Sequence, residues 1–272
     1  MPPRRPATPP KKSSALPKSQ VAKQKASRHN WLALIVLSVI ALLGYVVYSG
    51  IQGRDDQPKA ACVLVIDRTG SSADAKTVEN YAEDAERVID GCADRRAELE
   101  IYSFDEDASK LNLESQNHVF LGKKKGVAAA KGVVKEILQR PLEGSSGSNI
   151  VAALVEAARR VHELSRYVGQ GEQFLVMLTD GYQLSEDVSV EQLTEDEESA
   201  QPLIERVGTY DIDLADTAVS MVGVLSGADQ GAGTVPYPFE RALERFWTGV
   251  VEGGKGRLCT YVYEPTRLPV SC

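Results

Sequence analysis

The chain has 272 residues, enough for one large domain or two small ones, and its formal charge of -7 conceals two oppositely charged parts. Residues 1–30 hold Arg4, Arg5, Lys11, Lys12, Lys18, Lys23, Lys25 and Arg28 without a single acid, which leaves 23 bases against 38 acids for the remainder. Bases segregated in this way, with no aromatics interleaved, argue against nucleic-acid binding.

The basic stretch also carries Pro2, Pro3, Pro6, Pro9, Pro10 and Pro17 among Lys, Ser and Ala. It cannot bury enough apolar area to offset chain entropy and is expected to be a disordered tail. Residues 31–48 (WLALIVLSVIALLGYVVY) then run without a charge, long enough to cross a bilayer as a helix. Trp31 at one end and Tyr45 and Tyr48 at the other fit the two membrane interfaces. A transmembrane helix is therefore expected over 31–50. The apolar run and its basic flank are both long for a cleavable signal peptide, so an uncleaved anchor is the expectation. The basic side belongs in the cytoplasm by the positive-inside tendency, which puts everything beyond about Gly50 outside it.

A short polar linker at 51–60, with Gly53, Asp55, Asp56 and Pro58, leads to one domain expected over 61–272. Its first stretch, 61–72 (ACVLVIDRTGSS), is an apolar run that ends at Asp67 and turns through Gly70, with hydroxyls on Thr69 and Ser71. A buried strand stopping there delivers one carboxylate and two hydroxyls to a single loop. Such hard oxygen donors suit Mg²⁺ or Mn²⁺ more than zinc or copper. An ordinary turn would use the same residue types, so this stretch does not decide the matter by itself.

A helix is expected next, capped by Ser71 or Ser72 and running to about Ile89, with Val78, Tyr81, Ala82, Ala85, Val88 and Ile89 on one stripe and Gly91 as its stop. Strands are expected at 97–104 and within 111–121. A helix at 123–138 turns Val127, Ala130, Val134, Ile137 and Leu138 inward and ends before Pro141. A loop of small hydroxyl residues, 145–149 (SSGSN), opens another helix to about 164, with Ile150, Leu154, Ala157, Ala158 and Val161 on one face. The strand 173–180 (QFLVMLTD) ends in Asp180 before Gly181, and an acidic segment follows at 185–200. A strand at 218–225, a helix at 239–251 and a strand at 257–263 complete the pattern. Strands alternating with amphipathic helices predict a doubly wound α/β domain, its sheet mostly parallel with helices on both faces. Ligands in such sheets bind beyond the carboxyl ends of the strands, where the strand order reverses.

The order of these pieces, a strand ending in D-x-T-x-S, a loop Ser opening a helix, and a strand ending in Asp-Gly, resembles the von Willebrand factor A family, over roughly residues 61–263. The resemblance implies a metal-ion-dependent adhesion site made by Asp67, Thr69, Ser71, Ser148 and Asp180, with Thr69 and Ser148 each standing where the family usually has the other hydroxyl residue. It further implies that the first and fourth strands are neighbours at the reversal of strand order. The expected cofactor is Mg²⁺, with Mn²⁺ or Ca²⁺ as substitutes, and the expected partner is a protein whose carboxylate completes the metal shell. Without metal, two facing carboxylates repel and one tends to stay protonated. No nucleophile with its base is evident, so binding rather than catalysis is expected. A scaffold protein of the cell envelope, with the site structural or metal-free, is the alternative.

The acidic residues Glu186, Asp187, Glu191, Glu195, Asp196, Glu197 and Glu198 read as a solvated face with Thr194 and Glu197 forming a capping box, or as a frame around the site that steers basic partners. Asp211, Asp213 and Asp216 precede a strand and belong to the opposite edge of the sheet. His29, His118 and His162 have no metal-ligand spacing. Cys62, Cys92, Cys259 and Cys272 all fall on the expected outer side, where disulfides persist. They allow three pairings; Cys62–Cys92 with Cys259–Cys272 is geometrically reasonable, and buried free thiols are the alternative.

Overall fold

A computed structural model of the chain describes residues 37–42, 57–69, 75–105, 112–140, 148–169, 171–194, 196–224 and 237–262. The chain divides into two compact units, Met1–Asp56 and Gln57–Cys272. In the first, residues 37–42 are helical, with Leu37, Val39, Ile40 and Leu42 exposed. Among the described residues no helix is long and apolar enough to cross a membrane. The rest of the span expected at 31–50, and the basic tail, lie outside them.

The second unit is built on a six-stranded sheet. In chain order its elements are β1 (Ala60–Asp67), α1 (Ala75–Asp94), β2 (Ala97–Phe104), β3 (Asn112–Phe120), α2 (Lys124–Gln139), α3 (Ile150–Val168), β4 (Glu172–Leu178), α4 (Gln201–Val207), β5 (Thr217–Val222), α5 (Tyr237–Gly253) and β6 (Arg257–Val262). The strand order is β3-β2-β1-β4-β5-β6. Every pairing is parallel except β2 with β3, which is antiparallel because no crossover helix separates those two strands. β1 pairs with β2 on one side and β4 on the other, so the order reverses between β1 and β4. This is the adjacency that the resemblance implies.

β1 is buried along its whole length, as expected for a central strand covered on both faces. Its alternate residues serve two different cores. Ala60, Cys62, Leu64 and Ile66 pack with Tyr81, Val88 and Ile89 of α1 and Val134 and Ile137 of α2. Ala61, Val63 and Val65 pack with Leu154 and Val161 of α3, Leu203 of α4 and Phe246 and Trp247 of α5. The period of two along one strand thus decides which helices lie on which face.

Several expectations need correction. Gly91 does not stop α1, which continues to Asp94 and so brings Cys92 onto its buried stripe. Its start follows residues 71 and 72, which lie outside the described residues. The acidic segment contains two short 3₁₀ turns, Val190–Gln192 and Glu197–Ala200, and leads into α4, a helix not foreseen. Asp196, rather than Thr194, caps the second turn, its Oδ1 accepting from the Glu198 amide. Thr194 instead accepts from the amide of Asp196 through its hydroxyl.

Cys62 and Cys92 form a disulfide, with Cα atoms 6.5 Å apart, that joins the start of β1 to the last turn of α1. Cys259 is also disulfide-bonded, and Cys272 lies outside the described residues.

Candidate functional site

The carboxyl ends of β1 and β4 bring the first and last of the expected metal ligands to one place. Asp67 is the final residue of β1 and is fully buried. Its Oδ1 accepts from the Thr69 amide at 2.9 Å and the Thr69 hydroxyl at 2.7 Å. Its Oδ2 accepts from the hydroxyl of Thr179, 112 residues away in sequence, at 2.8 Å. Thr179 follows the last residue of β4 and continues the ladder by donating its amide to the Val222 carbonyl. Asp180 comes next and is 2 % exposed.

A neighbouring carboxylate makes ionising a buried one more costly. Burial first, and the charge of Asp180 second, carry the Asp67 carboxyl from its ordinary 3.8 up to about 7, against the opposing hydrogen bonds from Thr69 and Thr179. Asp180 is therefore near enough to Asp67 for their charges to interact.

Ser148 reaches the same corner from the start of α3. It is 2 % exposed, and its hydroxyl donates to the Tyr182 carbonyl at 2.7 Å. The Tyr182 amide in turn donates to Asp180 Oδ1 at 2.8 Å. The backbone of Tyr182 thus bridges two of the expected ligands. Of the five, the structure assembles Asp67, Thr69, Ser148 and Asp180 around one strand-end corner; Ser71 lies outside the described residues.

Besides Gly181, four residues that the sequence did not single out, Thr179, Gln183, Trp247 and Arg68, hold this corner in shape. Thr179 is one, fixing Asp67 from below. Gln183 is fully buried and joins the loops: its Oε1 accepts from the Val151 amide at 2.8 Å, and its Nε2 donates to Ser185 Oγ at 3.0 Å. Trp247 of α5 donates its indole N–H to the Gly181 carbonyl at 3.0 Å. Gly181 has φ +76°, and a Cβ there would lie 3.1 Å from Val224 Cγ1, so the turn after Asp180 demands glycine twice over. Arg68, nearly buried, donates Nη2 to the Arg140 carbonyl at the end of α2 at 2.6 Å, while its amide donates to the Phe104 carbonyl. Burial and the charge of Arg140 depress the Arg68 guanidinium, and Asp67 supports it. Periodicity could not have flagged any of the four. A charged or amide side chain beside a D-x-T-x-S run was the one available signal.

Among the described residues no group of three or more His, Cys, Asp or Glu is arranged to hold a metal ion. A cation here must therefore rest on two carboxylates and on hydroxyl oxygens. The donor set fits that demand. The hydroxyl protons of Thr69 and Ser148 are committed to oxygen acceptors of the protein, so these two would meet a cation through their lone pairs. Two carboxylates match the charge of one divalent ion, and the oxygen-only set suits Mg²⁺ or Mn²⁺.

The remaining singled-out residues stand elsewhere. Asp211, Asp213 and Asp216 are exposed on the loop before β5, at the amino edge. His118 bonds Glu98 at 2.8 Å, and His162 lies 3.0 Å from the Asp213 carbonyl. His29 lies outside the described residues.

The sequence matches no protein-family model, and no curated protein matches it. Solved structures do. Proximal thread matrix protein 1 from the mussel byssus is 14% identical with a TM-score of 0.35, the match covering 73% of this chain and 49% of that one. The pilus adhesin SpaC from Lactobacillus rhamnosus GG, in its open conformation, is 12% identical with a TM-score of 0.43, covering 76% and 28%. The manganese-loaded TRAP protein of Plasmodium vivax is 15% identical with a TM-score of 0.37, covering 72% and 74%. The chain spans about half the length of the first of these and about a quarter of the second.

Proposed function

We propose that this chain is a non-catalytic binding protein that holds one divalent cation between Asp67 and Asp180 and uses it to capture a protein partner. The observation that carries this reading is the pair of buried carboxylates at the carboxyl ends of the two strands flanking the reversal of strand order. Uncompensated, such a pair opposes folding; a cation removes that opposition and leaves coordination positions for an outside oxygen. Thr69 and Ser148 would add neutral oxygens, and Ser71 a third. Mg²⁺ keeps water readily, so a partner's carboxylate displacing one water completes the shell.

On this reading the binding unit stands outside the cytoplasm, tethered by the apolar span at 31–50. The buried Cys62–Cys92 disulfide supports an oxidising compartment. The exposed Leu37, Val39, Ile40 and Leu42 on one short helix support an apolar surrounding for that segment.

One observation favours a second reading, a metal-free scaffold: both oxygens of Asp67 already accept hydrogen bonds from within the domain. Mn²⁺ titration of the full chain followed by electron paramagnetic resonance separates the two. Binding of about one Mn²⁺, displaced by Mg²⁺ and lost in Asp67→Ala and Ser148→Ala, is expected. Partner capture that persists unchanged with chelator and in both variants would leave the scaffold in its place.

A further inference from the structure

Beside the cation corner lies a patch with an unfilled role. The ring of Tyr182 packs against Phe239, with centroids 6.0 Å apart, and both rings are only partly buried. Glu191 is brought alongside by the backbone: the Val190 amide donates to the Gln183 carbonyl at 2.9 Å, and Leu184 bridges Ser189. Glu191 is exposed, and among the described residues it has no ion-pair partner; Arg241 of α5 pairs with Glu197 instead.

The same chain shows what such an arrangement accepts. Tyr102 lies beside Glu100, its hydroxyl bonded to that carboxylate, and the Arg160 guanidinium sits 5.6 Å over its ring. Arg95 and Arg96 cover Phe174 and Phe120 in like manner. A tyrosine face with a glutamate next to it is completed by an arginine in the first case, and Tyr182 with Glu191 has the first two parts only. A cation over an aromatic face gains most where a carboxylate reinforces the field.

Resting on the cation reading above, we propose that Tyr182, Phe239 and Glu191 form a subsite for an arginine or lysine side chain of the protein partner, next in the partner's chain to the carboxylate that meets the metal. Tyr182 places that subsite in register with the metal, since its own backbone bonds both Asp180 and Ser148. A partner recognised this way carries an acidic and a basic residue side by side. An acidic residue with an apolar neighbour would gain nothing from Glu191.

The test uses the full chain in detergent solution and short fluorophore-labelled peptides holding one glutamate beside arginine, glutamine or leucine, with the neighbour on either side. Fluorescence anisotropy is read in Mg²⁺ and again in EDTA. In Mg²⁺ an arginine peptide is expected to bind roughly threefold to tenfold tighter than its glutamine and leucine counterparts. That preference should vanish in Glu191→Gln while Mn²⁺ binding stays unchanged. Equal binding of all three peptides, a preference for leucine, or an arginine preference unmoved by Glu191→Gln would overturn the subsite and leave the cation reading standing. An arginine preference that survives EDTA and vanishes in Glu191→Gln would keep the subsite and overturn the cation reading. No binding of any peptide in Mg²⁺ would overturn both.

Discussion

The two edges of the sheet treat charge in opposite ways. At the amino edge, Glu172, Asp216, Lys255 and Arg257 line a depression of about 460 Å³, and Arg95 meets Glu172 at 3.3 Å with the glutamate 64% exposed. Water reaches that pair and screens it. At the carboxyl edge, Asp67 and Asp180 are buried; Asp67 accepts from the hydroxyls of Thr69 and Thr179, and Asp180 from the Tyr182 amide. The guanidinium of Arg68, next in sequence to Asp67, donates to the Arg140 carbonyl. The two edges thus differ in burial: the acids of the amino edge meet solvent, and the two carboxylates of the other are enclosed.

That contrast breaks most visibly at Asp67. Asp67→Ala is expected to weaken Mn²⁺ binding by more than about 100-fold, beyond the range usual for outer-shell changes, measured by paramagnetic resonance titration. Retained binding would move the site elsewhere. The staple near the amino edge should behave in the reverse sense. Replacing Cys62 and Cys92 together by alanine should cost about 2–4 kcal/mol in denaturant unfolding and leave cation affinity unchanged.

The protonation of Asp67 sharpens the comparison. Below about pH 4 its carboxyl is protonated in folded and unfolded chains alike and costs nothing. Between there and about 7 the folded state keeps the proton that the unfolded state releases, so stability falls as pH rises; above that the penalty is constant. Thermal melts of chelated protein from pH 4 to 8 should descend by an amount on the order of a few kcal/mol. Saturating Mg²⁺ or Asp67→Asn should flatten the descent, and an equally steep profile in Asp67→Asn would assign it to another group.

Smaller effects are expected further out. Trp247→Phe removes the indole bond to the Gly181 carbonyl and some buried area, costing about 1–2 kcal/mol and loosening the turn that carries Asp180. Its melting point and Mn²⁺ affinity should both fall; a fall in stability alone would separate the turn from the site. Arg95→Ala breaks only a screened pair and should change stability by less than about 1 kcal/mol, with no change in cation binding.

Local patterns carried much of the fold. Apolar runs bounded by Gly, Pro and acids located the inner strands β1, β4 and β5 to within a few residues, because a strand covered on both faces must be apolar throughout. What escaped was decided by neighbours. Gly91 continues α1 because the buried contacts of Cys92 and the rest of the stripe outweigh one glycine's cost of about 1 kcal/mol. Seven residues of α4 are too few for a periodic signal, and Leu203 and Val207 are helical because the α3 and α5 face needs covering.

The residues that would bind a cation were legible one by one, since a carboxylate at a strand end and hydroxyls two residues on are local facts. Their convergence was not. Only the parallel pairing of β1 with β4 brings the Thr179 hydroxyl to Asp67, and only the return of the chain at Tyr182 ties Ser148 to Asp180. Sequence determined which chemistry was on hand; hydrogen bonding across 112 and 34 residues decided where it meets, because proximity at that range belongs to the sheet and to no segment of it.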